Sequence, residues 1–266
     1  MLPPAFGSAY VGETFSCTLC ANNELLPNSD RMITSVKITA EMQTPSQTVV
    51  LELSPKEDDL SRSGLPPGAT MQNVVRFDLR EDGNHVLSVS LSYSEILMSR
   101  VENSASSGRV RTFRKLYQFI ARPCLSVRTK TSELSSVESG KENSQAQRSS
   151  QYALEAQVEN LADGIITLEG LTFDAKAPFK SRSLNWDVPL PDQAISQLPM
   201  LAPQDITQVA FLIEEQNIPY RDKDFSKKEF TKDGRTILGK LTIRWRSAMG
   251  DPGILSTGWL TSKKSI

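Results

Sequence analysis

Alternation of apolar and polar residues dominates the chain and predicts strands. Between Val36 and Met42, an apolar residue stands at every second position and the residues between them are polar. This period of two is typical of a strand with one buried face. Similar segments recur, separated by stretches rich in Pro, Gly, Ser and charged residues; they are GETFSCTLCANN, VVLEL, VVRFDL, HVLSVSLSY, LEAQVEN and GKLTIRWR.

The stretch from Arg109 to Lys130 predicts two strands with almost nothing between them. Phe113 to Ile120 alternates, with aromatic residues on one parity, and Leu125 to Lys130 alternates again. Pro123 lies between the two segments and lacks a backbone donor, so a paired ladder is not expected to continue through it. The stretch therefore predicts a joint between two β domains.

Turn signals at short, regular spacing favour an all-β fold of two consecutive immunoglobulin-like β-sandwich domains with a short rigid joint. The predicted first domain covers residues 1–121 and the second 122–260. Within the second, 131–150 is rich in Ser, Glu, Gln and Lys without periodicity, which predicts a flexible loop. A short helix is plausible near Asp192–Leu198. Residues 261–266 are expected to form a tail.

Composition gives no global indication of a nucleic-acid or anionic-membrane partner. The 266 residues include 30 basic and 31 acidic side chains, for a formal net charge of −1, and 38% are hydrophobic. A basic protein would be expected for either partner. The sequence also lacks a long apolar run of transmembrane length and the pattern of a signal peptide at its start. We therefore predict neither a transmembrane helix nor a signal peptide.

The three cysteines favour a reducing compartment over a disulfide framework. Cys17 and Cys20 have CxxC spacing, but they lie in an alternating strand segment. Residues three apart on a strand point to opposite faces, so these two sulfurs are not expected to converge on a metal. A second cysteine pair is missing, and His85 is the one histidine of the chain. We predict no metal site.

The sequence offers no catalytic constellation. A triad would need a nucleophile, a histidine and a carboxylate, and His85 follows a turn segment where a packing or capping role is expected. Glycine-rich phosphate loops are also absent from the sequence. A carbohydrate-binding sandwich would need an aromatic platform, but Trp245 has the parity of a core position. We predict that the chain is not an enzyme and binds no cofactor.

Basic residues without an intervening acidic residue are the strongest local signal between 109 and 130. They indicate either a surface for an acidic partner or phospholipid headgroups, or a solvated strand whose charges protect a sheet edge. The second interpretation is favoured, because alternation places neighbouring side chains on opposite faces. The candidate interaction or joint residues are Arg111, Arg114, Lys115, Arg122, Pro123, Arg128 and Lys130.

An ordered set of segments resembles the trafficking protein particle (TRAPP) complex subunit 13 family. LPPAFGSAYVGETF at Leu2–Phe15 is similar to the LPxxFGxxYxGETF segment of that family. The resemblance continues over nearly the whole chain, at Gln43-Thr44, Gly83, His85, Tyr93, FRK at Phe113–Lys115, PCLSVRTK, LEAQVEN, GKLTIRWRSAMGDPG, Leu255 and Thr257.

The resemblance implies a non-enzymatic β-sandwich subunit of a complex that tethers vesicles and acts as nucleotide exchange factor for a Rab GTPase. It implies other TRAPP subunits as partners, with a Rab and vesicle membranes as indirect ones. It also implies a cytoplasmic location, peripheral to Golgi, ER–Golgi or autophagic membranes. Family members usually continue into another β domain, so 261–266 is expected to precede such a domain. The alternative is an arrestin-like cargo or membrane adaptor outside TRAPP.

Overall fold

The chain forms two compact all-β units, Met1–Arg122 and Pro123–Ile266. A computed structural model describes residues 9–54, 64–97, 108–134, 150–186, 198–216, 231–232 and 235–262. Across these ranges, every regular element is a strand, which confirms the predicted all-β class. The immunoglobulin-like arrangement and the rigid joint stay predictions.

The first unit contains two sheets that share one core. A five-stranded sheet has the order β1-β8-β7-β3-β4, and a three-stranded sheet has the order β2-β6-β5. The strands are β1 (Ala9–Val11), β2 (Thr14–Asn22), β3 (Arg31–Gln43), β4 (Thr48–Leu51), β5 (Leu53–Ser54), β6 (Thr70–Asp78), β7 (Gly83–Leu97) and β8 (Gly108–Pro123).

The alternating segment from Val49 to Leu53 pairs with strands of both sheets. Leu51 is opposite Ala40 of β3, whereas Leu53 is opposite Val75 of β6. The chain therefore leaves one sheet and joins the other at Glu52. Apolar side chains on both sides of this break still face the same core, because the two sheets pack face to face.

Aromatic side chains from both sheets meet in the core of the first unit. Phe15 of β2 stacks on Phe119 of β8, with ring centroids 4.9 Å apart. His85 is fully buried beside Phe119, with a centroid separation of 5.5 Å. Its Nδ1 lies 3.1 Å from the carbonyl oxygen of Gly83. His85 therefore packs inside the core as part of β7, so of the two roles expected from the sequence, packing or capping, the structure shows packing.

The second unit also contains two sheets. One has the order β12-β14-β10-β9; the other has the order β13-β11-β16-β15, with β17 and β18 also paired to β16. The strands are β9 (Leu125–Leu134), β10 (Gln151–Asn160), β11 (Ile166–Ala175), β12 (Phe179–Ser183), β13 (Met200–Leu201), β14 (Ile206–Glu215), β15 (Thr231–Lys232), β16 (Arg235–Ser247), β17 (Pro252–Ser256) and β18 (Leu260–Thr261).

The core of the second unit follows the predicted parity. Leu241, Ile243 and Trp245 of β16 are fully buried, as the alternation predicts. Phe173 of β11 contacts Phe211 of β14, with ring centroids 6.0 Å apart, and so connects the two sheets. Gly253 packs directly against the Trp245 indole. A side chain at position 253 does not fit, because an added Cβ would overlap the ring.

Two ranges of the second unit differ from the sequence predictions. Residues 131–134 continue β9, paired opposite Leu154 to Gln151, although the flexible loop was predicted to begin at 131; residues 135–149 lie outside the described ranges. Thr261 pairs with Ile237, and the Ser262 N–H donates to the Thr236 carbonyl at 2.8 Å. The start of the predicted tail is thus tied to β16 by backbone hydrogen bonds. The predicted short helix lies, apart from Leu198, outside the described part of the chain.

Candidate functional site

Among the described residues, strand β8 has one full-length neighbour. It pairs with β7 along nearly its whole length, from Gly108 opposite Ile96 to Ala121 opposite Gly83. The neighbour that the structure describes on its other side, β1, has three residues. Strand β8 therefore lies second in the sheet, between the short β1 and the long β7.

Large apolar side chains project from both faces of this strand. Val110, Leu116 and Ile120 share one face and are 71%, 63% and 54% exposed, respectively. Phe113 and Tyr117 share the opposite face with the buried Phe119 and are 46% and 39% exposed. Clustered exposed apolar residues are unusual on a soluble surface and mark interaction sites. The exposed apolar side chains of β8 therefore form a candidate interaction surface.

The basic side chain of Arg111 is held by a shared carboxylate. Arg111 Nε and Arg31 Nη1 each donate to Glu95 at 2.7 Å. These hydrogen bonds from Arg111 and Arg31 hold the pKa of the Glu95 carboxyl below its ordinary value. Glu95 in turn raises the pKa of Arg111. The hydrogen bond between the two side chains is the larger cause, and the negative charge of Glu95 is the smaller one. Two cations therefore share one anion at this point of the sheet.

Arg114 points to the opposite face from Arg111 and Lys115. Its Nε donates to the Ser88 hydroxyl, and its Nη2 lies 3.4 Å from a Glu41 carboxylate oxygen. Lys115 is opposite Val89 in the ladder, and it forms no ion pair with any of the residues that the structure describes. These three candidate cations of β8 thus differ: Arg111 and Arg114 have carboxylate partners, whereas Lys115 has none in the part of the chain that the structure describes.

The other four candidate residues lie at the end of β8 or in the second unit. Arg122 and Pro123 are exposed at the end of β8. In the second unit, Arg128 and Lys130 lie on β9 and make long ion pairs with β10, at 3.8 Å to Glu159 and 3.9 Å to Glu155. Exposed pairs at such distances contribute little to stability. The seven candidates therefore belong to two units and, within β8, to two faces.

The CxxC segment has the geometry expected of a strand. Cys17 packs beside the core cluster of the first unit, while Cys20 is exposed. Burial raises the pKa of the Cys17 thiol, which favours its protonated form. In the ranges that the structure describes, no three His, Cys, Asp and Glu side chains gather in a way that could hold a metal ion. Those ranges also contain no helix with the length and apolar character needed to cross a membrane.

Sequence reasoning missed the exposure of the β8 apolar residues. The aromatic parity of Phe113, Tyr117 and Phe119 predicted a strand whose two faces meet different surroundings, yet of these three residues Phe119 alone is buried. A signal was available: Val110, Leu116 and Ile120 give the other parity large apolar side chains as well. Since one face of a sheet in a two-layer sandwich remains uncovered, a strand that is apolar on both faces must expose one of them.

Together, these features define the class of a two-unit all-β sandwich protein in which strand β8 carries exposed apolar and basic side chains. The chain belongs to the trafficking protein particle complex subunit 13 family: residues 1–121 match its N-terminal domain and residues 125–264 match its middle domain. The resemblance predicted from the sequence is thereby confirmed.

Named relatives agree over nearly the whole chain. A probable trafficking protein particle complex subunit 13 homolog of Drosophila melanogaster is 29% identical over 262 residues, which are 98% of this chain and 51% of that protein. The trafficking protein particle complex subunit 13 proteins of Mus musculus and Danio rerio are 27% and 25% identical, and each match covers 97% of this chain and 55% of the relative. The chain thus spans about half the length of the curated relatives it matches.

Similarity to solved structures is weak. The secreted serine protease VesC from Vibrio cholerae is similar over 97% of this chain and 49% of that chain, with a TM-score of 0.28 and 9% sequence identity. A similarity at this level supports no argument about fold or activity.

Proposed function

We propose that the chain is a non-enzymatic accessory subunit of a TRAPP complex, in which its two β units provide protein–protein contacts. The observation that carries this proposal is the ordered match of two consecutive family domains to the two compact units. In this proposal, the complex tethers vesicles and promotes nucleotide exchange on a Rab GTPase in ER–Golgi traffic and autophagy. The exchange chemistry belongs to other subunits.

Affinity purification of the tagged full chain tests this membership. We expect quantitative mass spectrometry to recover other TRAPP subunits in excess over a tagged, unrelated β-sandwich protein of similar abundance. Soluble chain that recovers none of them would contradict the proposal.

The non-enzymatic part of the proposal has its own test. The purified chain alone should leave the rate of fluorescent GDP release from the Rab unchanged, whereas the complete complex should accelerate it. Acceleration by the chain alone would show that it carries exchange activity.

An arrestin-like membrane adaptor outside TRAPP is less well supported by the geometry. Such an adaptor would need its basic residues free for anionic headgroups. Instead, Arg111 is bound to Glu95, and Arg114 is close to Glu41. Salt-sensitive cosedimentation with phosphatidylserine vesicles that is lost in the Arg114→Ala, Lys115→Ala double variant would favour the adaptor over the proposed function.

A further inference from the structure

We infer that the outward face of β16 from Lys240 to Arg244 binds a segment of a partner protein that carries two acidic side chains about 13 Å apart. The inference rests on the proposed function and deepens it, because it specifies one contact that an accessory subunit makes. Three features of this face lead to the ligand chemistry: its two cations, the exposed apolar side chain beside each of them, and the row of hydroxyls between them.

The outward face of β16 lies in the interior of its sheet. Along this stretch, β11 pairs on one side and β17 and β18 on the other, all within the described ranges. Leu241 and Ile243 are buried and point to the core. Lys240, Thr242 and Arg244 alternate with them and therefore point to the other face of the sheet. A partner can contact these side chains without pairing with a strand edge.

Arg244 forms one end of this face. Its guanidinium lies over Gly170 of β11, where an added Cβ would come within 3.2 Å of Nη2. Ile254 of β17 is directly opposite Arg244 and is 54% exposed. The neighbouring Arg246 is already occupied, because its Nε donates to Glu169 at 2.6 Å. Among the residues that the structure describes, Arg244 has no carboxylate partner, so it can bind a carboxylate from outside.

Lys240 and Trp259 form the other end. The Lys240 Nζ lies 4.5 Å from the centroid of the Trp259 ring, and the Lys176 Nζ lies 5.5 Å from it. Trp259 is 53% exposed. Trp and Arg are both enriched among the residues that dominate binding at protein interfaces. Each end of the face thus combines a cation with an exposed apolar side chain.

Charge complementarity selects an acidic partner. Arg246 and Glu169 neutralise each other. Lys240 and Arg244 then outnumber the carboxylate opposite Lys240, that of Asp174. The two cations are four residues apart on one strand, which places their Cα atoms about 13 Å apart. A segment with two carboxylates at a similar separation can reach both cations.

The row between the two cations favours a protein segment over a membrane. Thr172, Thr242 and Ser256 are opposite one another on β11, β16 and β17, so hydroxyls separate the Trp259 end from the Ile254 end. Binding to a membrane surface depends on a continuous apolar face that enters the acyl-chain boundary. Hydroxyls instead donate and accept hydrogen bonds, which the peptide groups of a polypeptide can match. The face therefore fits an acidic polypeptide.

Tryptophan fluorescence of the full chain reports directly on this face. Of the three tryptophans, Trp186 and Trp245 are buried and Trp259 is exposed. The titrant is a peptide of about twelve residues without aromatic side chains, in which two glutamates stand four positions apart, with leucine beside each and serine between them. Bound peptide should shield Trp259 from acrylamide, so quenching should fall as the peptide saturates the face.

A peptide with glutamine in place of both glutamates is the matched ligand control. It should bind about tenfold more weakly, because it lacks the charges that pair with Lys240 and Arg244. Added salt should weaken binding of the glutamate peptide, since salt screens exposed charges.

Matched variants locate the binding to β16. The double variant Lys240→Gln, Arg244→Gln should weaken binding of the glutamate peptide by about tenfold or more. The double variant Lys180→Gln, Arg182→Gln removes the same charge from β12, in the other sheet of the same unit, and should leave binding unchanged. Calorimetric titration measures these affinities, since loss of Lys240 also alters the surroundings of Trp259. Circular dichroism checks that each variant keeps its fold.

Several outcomes would overturn the inference. These are equal affinity for the two peptides, peptide binding that the β16 double variant leaves intact, unchanged quenching of Trp259 at saturation, and binding of phosphatidylserine vesicles without peptide binding. Recovery of TRAPP subunits without peptide binding would reject this inference while the proposed function stands. Peptide binding without subunit recovery would support the β16 site and reject the TRAPP assignment.

Discussion

Strands β8 and β16 are both long and rich in large apolar side chains, yet one is exposed and the other is buried. Leu241, Ile243 and Trp245 of β16 share one parity and are fully buried, and Leu238, next to an irregularity between Ile237 and Gly239, is fully buried on the other. β16 pairs with β11 on one side, and β17 and β18 also pair with it. By contrast, β8 is apolar on both parities, and among the described residues β7 alone pairs along its length.

The difference shows that apolar content does not by itself determine whether a strand is buried. The neighbours on each side and the sheet that covers each face determine it. A strand like β16, with neighbouring strands on both sides, contributes to the core. A strand like β8 retains exposed apolar surface that a partner can cover.

The largest effect is expected in the β16 core. Trp245→Ala should lower the free energy of unfolding by about 3–5 kcal/mol, because it leaves a large cavity in a fully buried site. Denaturant titration measures the loss. Trp259→Ala is the matched control in the same unit: its ring is exposed and lies 4.5 Å from Lys240 Nζ, and its loss should cost at most about 1 kcal/mol. Equal losses would contradict the contrast between buried and exposed tryptophan.

A second comparison lies within β8 itself. Phe119→Ala should lower the free energy of unfolding by about 3 kcal/mol, because Phe119 stacks on Phe15 in the core. Leu116→Ala, three residues earlier on the exposed face, should change it by no more than about 0.5 kcal/mol. Urea titrations of both variants measure the difference. A large loss at Leu116 would mean that this residue contributes to folding despite its exposure.

A smaller effect should follow the charge pair at the exposed end of β8. The pKa of Glu95 is lowered in the folded state, so its ion pairs stabilise the protein above the ordinary carboxyl pKa. That stabilisation is lost as the pH falls through the lowered folded pKa. Glu95→Gln should therefore be less stable than the unmodified chain at pH 7, and the difference should shrink in strong acid. Thermal melts across this range measure it, and a pH-independent difference would contradict the assignment.

The smallest effect on folding is expected at the predicted joint. Insertion of a flexible Gly-Ser segment after Arg122 should leave the unfolding of each unit unchanged but weaken recovery of the complex in the affinity purification. Undiminished recovery would contradict a rigid joint. A matched insertion between Gly164 and Ile165, in an exposed turn, controls for the added residues.

The fold class followed from the sequence because strand periodicity is local. The parity of Leu241, Ile243 and Trp245 predicted a buried face correctly, and the interruption at Gly170 corresponds to a bulge between Leu168 and Gly170. Boundaries were predicted less well. β9 continues to Leu134, since polar residues such as Thr131 and Ser132 can lie in a strand when a partner strand is beside them.

The candidate site was predicted in part. The sequence located the basic residues of β8, but it could not show that Arg111 and Arg31 share Glu95, because those three residues come from different strands. The sequence also grouped Arg128 and Lys130 with the basic residues of β8 as candidates. In the structure these two residues lie on β9, in the second unit.

The sequence by itself determined the strands, their buried parity in most segments and the family. Each of these depends on the order of residues within a short stretch or on the sum of many such stretches. The tertiary structure alone decided which strand has a neighbour on each side, that the chain changes sheets at Glu52, and that Phe113 and Tyr117 are exposed while Phe119 is buried. These features depend on pairing between residues far apart in the chain. The alternation of apolar and polar residues within one segment does not indicate which strand lies beside that segment.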